Sequence, residues 1–207
     1  MISQKTIPVN WNVLKENVII VGSSQEGKTH LATNICATMS PPYNFIVFTP
    51  HKESELAKIN VNCIKHNVFD VKGEGLEIVI PIIDSQQFFD SLCEKVFTLT
   101  NVVFVMDELH NYCSKYQIPK PLGILLRNCN NRNISYVAIF QRPQEVPSMV
   151  LSNSNHRYCF YLDLFTDVDY MKEFIGMEME KFKTGEMPKY HGLYRKKGTR
   201  SAEIFTV

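Results

Sequence analysis

Gly22-Ser23-Ser24-Gln25-Glu26-Gly27-Lys28-Thr29 is the stretch that decides the fold of this chain. It matches the pattern G-x-x-x-x-G-K-[ST] at every fixed position. Glycines let the backbone curl so that its N–H groups face a polyphosphate, and the start of a following helix adds a favourable dipole. In such a loop the lysine reaches the β- and γ-phosphates, and the threonine hydroxyl binds Mg²⁺. All eight residues are therefore predicted to bind a nucleoside triphosphate. The Glu26 carboxylate would repel phosphate unless it points to solvent or to a partner subunit.

The segments on either side of the loop have the character that the motif requires. Residues 17–21 are a short apolar run rich in β-branched side chains, which is typical of a strand buried on both faces. Residues 28–39 place Leu31, Ile35 and Met39 four apart, which predicts a helix with one apolar stripe. The order of strand, loop and helix argues against a chance match to the motif.

Strand-like and helix-like segments then alternate along the chain. Further strands are predicted at 44–48, 76–82, 101–106, 136–140 and 157–162, and helices at 85–97, 119–130 and 166–175. This alternation predicts an α/β fold, the P-loop NTPase three-layer sandwich, with helices on both faces of a mostly parallel central sheet. The last segment, about 190–207, is predicted to be a C-terminal antiparallel hairpin that turns near Lys197-Gly198.

Length and composition limit the possible classes of protein. With 207 residues and 44% hydrophobic content, the chain is predicted to form a single domain over 1–207, with a core of about 15–176. No apolar run approaches the roughly 18 residues of a spanning helix, and the first residues lack a secretory signal. The chain is expected to work inside a cell, with its six cysteines as reduced thiols. A net charge of +1 limits any nucleic-acid contact to a local patch.

The predicted strand at 101–106 ends in two acids, Asp107 and Glu108. An acid at the carboxyl end of a neighbouring parallel strand lies across the crevice where α/β sheets bind ligands, so Asp107 is predicted to hold Mg²⁺ through water. Glu108 is predicted to polarise the attacking water as a general base. The two acids also suit the first turn of a helix at 109–112, and both interpretations can hold together.

Gln141 follows the predicted strand at 136–140 and reaches the same edge of the sheet. A glutamine can donate to a phosphate oxygen and accept from the attacking water, so Gln141 is a candidate sensor of the γ-phosphate. The alternative is a capped turn before Pro143.

Two arginines, Arg127 and Arg132, lie in a polar stretch just before that strand. Either is a candidate arginine finger, which would stabilise charge on the phosphoryl group at a neighbouring subunit. Arg132 is favoured because it lies closer to the strand, and a solvated loop arginine is the alternative for each.

The motifs resemble, in order and type, those of the FtsK/HerA superfamily of P-loop DNA-translocating ATPases, especially the genome-packaging ATPases of viruses with internal membranes. Residues 22–29 look like Walker A, 102–108 like Walker B, 132–135 like the arginine-bearing segment and 140–143 like the sensor strand. The resemblance covers about 15–176, and its most specific part is an Asp-Glu pair followed by Gln-Arg-Pro. It implies ATP and Mg²⁺ as cofactors, Glu108 as base and Gln141 as sensor.

The same resemblance implies partners and a location. It implies a homo-oligomeric ring, hexamer or pentamer, that threads the double-stranded DNA of a viral genome into a preformed capsid. A capsid vertex protein is then a further partner, a small-molecule acceptor is not expected, and the location is the host cytoplasm or the virion. A chain without an extra clamp domain fits the viral branch. Two basic clusters are candidates for DNA contact: Lys115 and Lys120, or Arg195, Lys196, Lys197 and Arg200. Solvated surface charge is the alternative for each cluster.

Two other classes of function stay open. One is a small-molecule or nucleotide kinase, which Glu108 argues against because a hydrolytic base would consume ATP without transfer. The other is a nucleotide-dependent regulatory switch. The chain lacks the Asn-Lys-x-Asp guanine signature of GTPases.

Overall fold

One nine-stranded sheet runs through residues 12–207, the part of the chain that the computed structural model describes. The strands are β1 (Val18–Val21), β2 (Asn44–Phe48), β3 (Ile64–Lys65), β4 (Leu76–Val79), β5 (Val102–Met106), β6 (Ile134–Phe140), β7 (His156–Phe160), β8 (His191–Lys196) and β9 (Glu203–Thr206). Their order in the sheet is β3-β4-β2-β5-β6-β1-β7-β8-β9. Neighbours from β3 to β7 pair in parallel, whereas β8 and β9 pair antiparallel. The predicted mostly parallel sheet with an antiparallel C-terminal hairpin is confirmed.

Helices cover both faces of this sheet. They are α1 (Lys28–Met39), α2 (Glu55–Lys58), α3 (Gln86–Thr98), α4 (Lys120–Asn128), α5 (Ser148–Ser152), α6 (Phe165–Ile175) and α7 (Glu180–Lys183). Successive strand side chains point to opposite faces, so Val18 and Ile20 of β1 pack in one core with α1 and α2. Ile19 and Val21 pack in the other core with α3, α4 and α6. The predicted three-layer sandwich is therefore confirmed. None of the described helices is long and apolar enough to cross a membrane.

Element ends differ from the predictions where local chemistry intervenes. The strand predicted at 76–82 stops at Val79, because Pro81 has no N–H to donate to a ladder, and Ile82 and Ile83 beyond it are exposed. The strand predicted at 136–140 begins earlier, at Ile134. The short elements β3, α2, α5 and α7 were not predicted, because two to five residues are too few to show a periodic pattern.

The order of the strands corrects one prediction. The strand that ends at Asp107 is not the immediate neighbour of the strand before the phosphate loop, because β6 lies between β5 and β1. Chain order does not reveal this insertion, since β6 follows β5 in sequence and its crossover could reach either edge of β1. As a result the carboxyl ends of β1, β6 and β5 lie side by side at one edge of the sheet.

Candidate nucleotide-binding and catalytic site

The phosphate loop connects the fully buried strand β1 to helix α1, which begins at Lys28. Gly22 is required for packing, because a Cβ there would lie 2.6 Å from the Cβ of Phe160 in β7. Gly27 has a φ of 105°, a left-handed conformation that glycine adopts without steric cost. The N–H of Ser23 donates to the carbonyl of Tyr161 at 2.8 Å, which anchors the loop on the end of β7. Contact with the end of β7 therefore helps to set the curvature of the loop.

Lys28 is buried, and its ammonium donates to the backbone carbonyl of Ser23 at 2.7 Å. Burial lowers its pKa, while the negative charges of Glu108 and Asp107, and of two further carboxylates, raise it. The Lys28 ammonium thus contacts its own loop and lies near several carboxylates. Lys28 also lines the cavity described below, so its ammonium lies beside space that a ligand can enter.

Asp107 is the buried acid of the site. The Thr49 hydroxyl donates to its Oδ2 at 2.9 Å, whereas its Oδ1 is buried and has no hydrogen-bond partner in the described structure. Burial raises its pKa from 3.8 to about 6, although the Thr49 hydrogen bond acts in the opposite direction. A buried oxygen without a partner is unusual, and it is the kind of hard oxygen ligand that Mg²⁺ prefers. Thr49 escaped the sequence analysis, although a polar residue directly after the apolar strand β2 is the same signal that identified Asp107.

The residues present fit the predicted magnesium site. Thr29 lines the same cavity as Asp107, so its hydroxyl and the free Oδ1 are two available oxygens. Within residues 12–207 no group of three His, Cys, Asp or Glu side chains could hold a metal without other ligands. Mg²⁺ keeps several waters and binds one or two protein oxygens together with substrate phosphates, so the Thr29 hydroxyl and the Asp107 Oδ1 suit such a site.

The buried charge of Asp107 predicts an increase in stability for Asp107→Asn. Its pKa is higher in the folded chain than the ordinary 3.8, so the ionised carboxylate destabilises the folded state, and this penalty grows between about pH 4 and pH 6. The difference of about 2 in pKa corresponds to about 2–3 kcal/mol. Without nucleotide and with a chelator, we expect the thermal midpoint of Asp107→Asn to exceed that of the wild type by about 4–10 °C at pH 8. The difference should shrink at pH 5.

The matched control is Asp70→Asn, which neutralises an exposed carboxylate and should leave the midpoint unchanged at both pH values. An Asp107→Asn midpoint equal to or below that of the wild type at pH 8 would contradict a burial penalty at this carboxylate.

Glu108 and Gln141, predicted as base and sensor from separate motifs, are in contact. The Gln141 Nε2 donates to both carboxylate oxygens of Glu108, at 3.3 and 3.2 Å. The Nε2 of His110 lies 3.3 Å from the Glu108 Oε2. Glu108 has a φ of 52°, a left-handed conformation that is uncommon for a residue with a side chain. The structure thus holds this carboxylate between two polar side chains directly after Asp107, and His110 is a neighbour that sequence analysis missed.

A cavity of about 700 Å³ joins Asp107 and Glu108 to the phosphate loop. That volume lies within the usual range for small-molecule sites. Its lining is Gln25, Gly27, Lys28, Thr29, His30, His51, Ser54, Glu55, Asp107, Glu108, Tyr190 and Val207. Glu26 is half-buried and does not contribute to this lining. The cavity therefore brings together Lys28, the predicted metal ligands Thr29 and Asp107, and the predicted base Glu108. The predicted residues Gly22, Ser23, Ser24 and Gln141 do not line it.

Neither candidate arginine finger lies at this cavity. Arg132 precedes β6 at the amino end of the sheet, where its guanidinium donates to the carbonyls of Leu99 and Thr98 and stacks over Phe97 at 5.2 Å. Arg127, in α4, donates to the carbonyl of Gly123 at 2.9 Å. The phosphate loop follows the opposite, carboxyl end of the parallel strands. Both arginines are thus remote from the site of their own chain, and action on a neighbouring subunit stays a prediction.

The fold, with a phosphate loop between β1 and α1, is that of the P-loop NTPases. No family model and no curated protein matches the sequence. The fold is similar to that of the genome packaging NTPase B204 from Sulfolobus turreted icosahedral virus 2, solved with sulfate: the TM-score is 0.76 at 17% identity, over 93% of this chain and 96% of B204. The B204 complex with AMPPCP matches at a TM-score of 0.75. VirB4 of Thermoanaerobacter pseudethanolicus matches at 0.66 with 9% identity, over 92% of this chain and 89% of VirB4. The chain therefore has the fold of the P-loop ATPases.

Proposed function

We propose that this chain is an ATP-hydrolysing DNA translocase that packages a viral double-stranded DNA genome into a preformed capsid. The observation that carries the hydrolytic part is the contact between Glu108 and Gln141 beside a buried lysine and a buried aspartate. Phosphoryl transfer needs positioned charge and an oriented nucleophile more than covalent chemistry. All of these groups lie at one edge of the sheet.

In this proposal each side chain has a distinct task. The Lys28 ammonium leaves the Ser23 carbonyl and binds the β- and γ-phosphates. Thr29 and Asp107 would hold Mg²⁺, which when bound neutralises charge on the phosphate oxygens. Glu108 accepts a proton from the attacking water. Gln141 holds the Glu108 carboxylate until the γ-phosphate or the water competes for its amide, so that the base is released only when nucleotide is present.

The packaging role is supported by similarity of fold to B204 across nearly the whole of both chains, together with the resemblance of the motifs to the FtsK/HerA superfamily. The proposed partners follow from that role: double-stranded DNA, further copies of this chain in a ring of six or five, and a capsid vertex protein. The proposed site of action is the host cytoplasm or the assembling virion.

The two candidate DNA-binding clusters differ in how free their cations are. In the hairpin, Arg195 donates to the carbonyl of Thr199, Lys196 lies 3.1 Å from the Glu16 carboxylate, and Lys197 donates to the carbonyl of Ser152. Lys115 and Lys120, in contrast, are exposed after the end of β5, and Lys115 lies over the exposed ring of Tyr116. Among residues 12–207, the ammonium groups of Lys115 and Lys120 form no hydrogen bond or ion pair, whereas three of the four hairpin cations do, so the surface around Lys115 is the better candidate for DNA contact.

The proposal predicts that double-stranded DNA stimulates hydrolysis. We expect DNA to raise the rate of ATP hydrolysis by about fivefold or more, a typical coupling between two sites. The double variant Lys115→Ala/Lys120→Ala should bind DNA more weakly and show a shallower decrease of affinity with salt, because phosphate contacts release counterions. Steady-state hydrolysis and DNA-binding titrations at several salt concentrations measure both.

The matched control is Lys196→Ala/Lys197→Ala, which removes the same charge from the hairpin and should retain the DNA response. Hydrolysis that is indifferent to DNA would contradict the translocase and favour the regulatory switch, whereas phosphoryl transfer to a small acceptor would favour the kinase. An equal loss of DNA affinity in both double variants would place the DNA surface elsewhere.

A further inference from the structure

The end of the nucleotide cavity away from the acids is formed by the C-terminal hairpin. Tyr190, directly before β8, and Val207, directly after β9, line the cavity there. Both lie against the phosphate loop: a Cβ added at Gly27 would be 2.7 Å from the Val207 Cγ2 and 3.7 Å from the Tyr190 Cδ1. None of the catalytic steps proposed above uses either side chain.

The order of the sheet separates this end from the metal end. β5, which carries Asp107, lies on one side of β1, whereas β7 and β8 lie on the other. Because Phe160 at the end of β7 pairs with Gly192 at the start of β8, Tyr190 sits at the same carboxyl edge as the phosphate loop. A nucleotide whose phosphates lie at Lys28, Thr29 and Asp107 therefore has the hairpin on its other side.

The hairpin holds Tyr190 in a defined position. Its φ is 63°, a left-handed conformation that persists in a residue with a side chain only where the surroundings determine it. The N–H of Val207 donates to the Tyr190 carbonyl, and the N–H of His191 donates to the carbonyl of Pro188. Tyr190 is nevertheless 46% exposed, and the Lys189 ammonium lies 5.1 Å from the ring centroid. An exposed aromatic ring on a backbone that is held beside a phosphate loop, with a cation over it, has the properties of a stacking surface.

We propose that Tyr190, with the Val207 side chain beside it, forms the subsite for the base of a purine nucleoside triphosphate. This inference rests on the proposed function, since it needs a nucleotide at the same phosphate loop. A base that stacks on the Tyr190 ring lies at the apolar end of the cavity, and Val207 covers its edge next to Gly27.

This recognition depends on the face of the base and not on its hydrogen-bonding edge. Every base has a π-face, so stacking tolerates different bases, and preferences come from the strength of stacking. A purine offers two fused rings to Tyr190 and a pyrimidine only one. The subsite therefore selects purine over pyrimidine triphosphates more strongly than it separates ATP from GTP.

Binding of ATP and of inorganic tripolyphosphate, each with Mg²⁺, tests the proposal, because only ATP carries a base. Tyr190→Ala should weaken ATP binding by about ten- to hundredfold, the usual effect of removing an aromatic stacking partner. It should leave tripolyphosphate binding unchanged. Tyr190→Phe keeps the ring and should stay close to the wild type for both ligands. Phe69→Ala, which removes an exposed aromatic ring outside the cavity, is the matched control.

Each outcome decides between the proposals. An unchanged ATP affinity in Tyr190→Ala overturns the base subsite and leaves the phosphate site intact. An equal loss for ATP and tripolyphosphate also overturns it, because Tyr190 would then act on the shape of the loop. If the wild type binds neither ligand, the proposed function fails and the subsite with it. Thermal unfolding without ligand shows whether Tyr190→Ala is folded.

Discussion

Lys28→Ala is expected to abolish nucleotide hydrolysis. The substitution removes the only cation among the residues of the described loop, and it leaves the carboxylates of Asp107 and Glu108 facing the phosphates without compensation. Loss of one preorganised charged donor in a water-poor site costs about 10²–10³ in rate. We therefore expect the rate of hydrolysis to fall at least about a hundredfold, and nucleotide affinity to fall as well, because this lysine also binds the ground state.

Steady-state phosphate release and nucleotide titration measure the two effects. Lys72→Ala is the matched control, since Lys72 is exposed and lies before β4 at the opposite end of the sheet. The thermal midpoint of Lys28→Ala without nucleotide should stay near that of the wild type, because burial of this cation costs free energy in the folded state. Undiminished hydrolysis in a folded Lys28→Ala protein would refute the assignment of the phosphate loop.

Glu108→Gln is expected to separate binding from chemistry. Glutamine has nearly the shape of glutamate and can still bond with Gln141, but it cannot accept a proton from water. A general base contributes about 10²–10⁴ to the rate, so we expect hydrolysis to fall by that factor while ATP affinity is retained or increased. The physical reason is that the substitution removes the proton acceptor and one negative charge near the γ-phosphate, with no loss of volume.

Single-turnover hydrolysis and equilibrium binding of ATP measure these effects. Glu55→Gln provides a control in the same cavity, because Glu55 is exposed and contacts His30, away from Glu108 and Gln141. The hydrolysis rate of Glu55→Gln should stay within about threefold of the wild type, because an exposed charge at the edge of a cavity contributes little free energy. Survival of hydrolysis in Glu108→Gln would leave a nucleotide-binding protein whose base is another group, and the regulatory switch would then be the better interpretation.

The stability prediction for Asp107→Asn complements these two. The carboxylate that we propose as a ligand of Mg²⁺ is costly to bury, and its pKa of about 6 expresses that cost. A variant that gains stability and loses hydrolysis would show a conflict between function and stability at this position, as is common for active sites. Lys28 is likewise a charged group whose burial costs free energy in the folded state, as the lowering of its pKa by burial shows.

Contiguous stretches of sequence were sufficient to predict the phosphate loop and the pair of acids, Asp107 and Glu108, as site residues. Residues 22–29 were identified because the motif, the preceding apolar run and the following helical stripe are all local. Most strands and the longer helices were predicted for the same reason, since periodicity is visible within one segment. The end of β4 was misplaced because Pro81 interrupts the ladder within an otherwise apolar run.

The contacts between motifs could not be predicted in this way. The Thr49 hydroxyl bonds with Asp107 although 58 residues separate them, and Gln141 reaches Glu108 across 33 residues. Both contacts depend on which strands are neighbours, and β6 inserts between β1 and β5 without any local signal. Tyr190 and Val207 reach the cavity only because the hairpin pairs antiparallel with β7.

The amino-acid sequence by itself therefore determined the α/β class, the phosphate loop with Lys28 and Thr29, and the acids at the end of β5. Each of these rests on residues close together in the chain, where spacing and polarity express the local conformation directly. Only the tertiary structure decided that Gln141 contacts Glu108 and that the Thr49 hydroxyl bonds with Asp107. It also decided that both candidate arginines are remote from the site of their own chain, and that the hairpin lines the far end of the cavity. The reason is that long-range strand pairing is set by the packing of the whole sheet, which no single segment of sequence encodes.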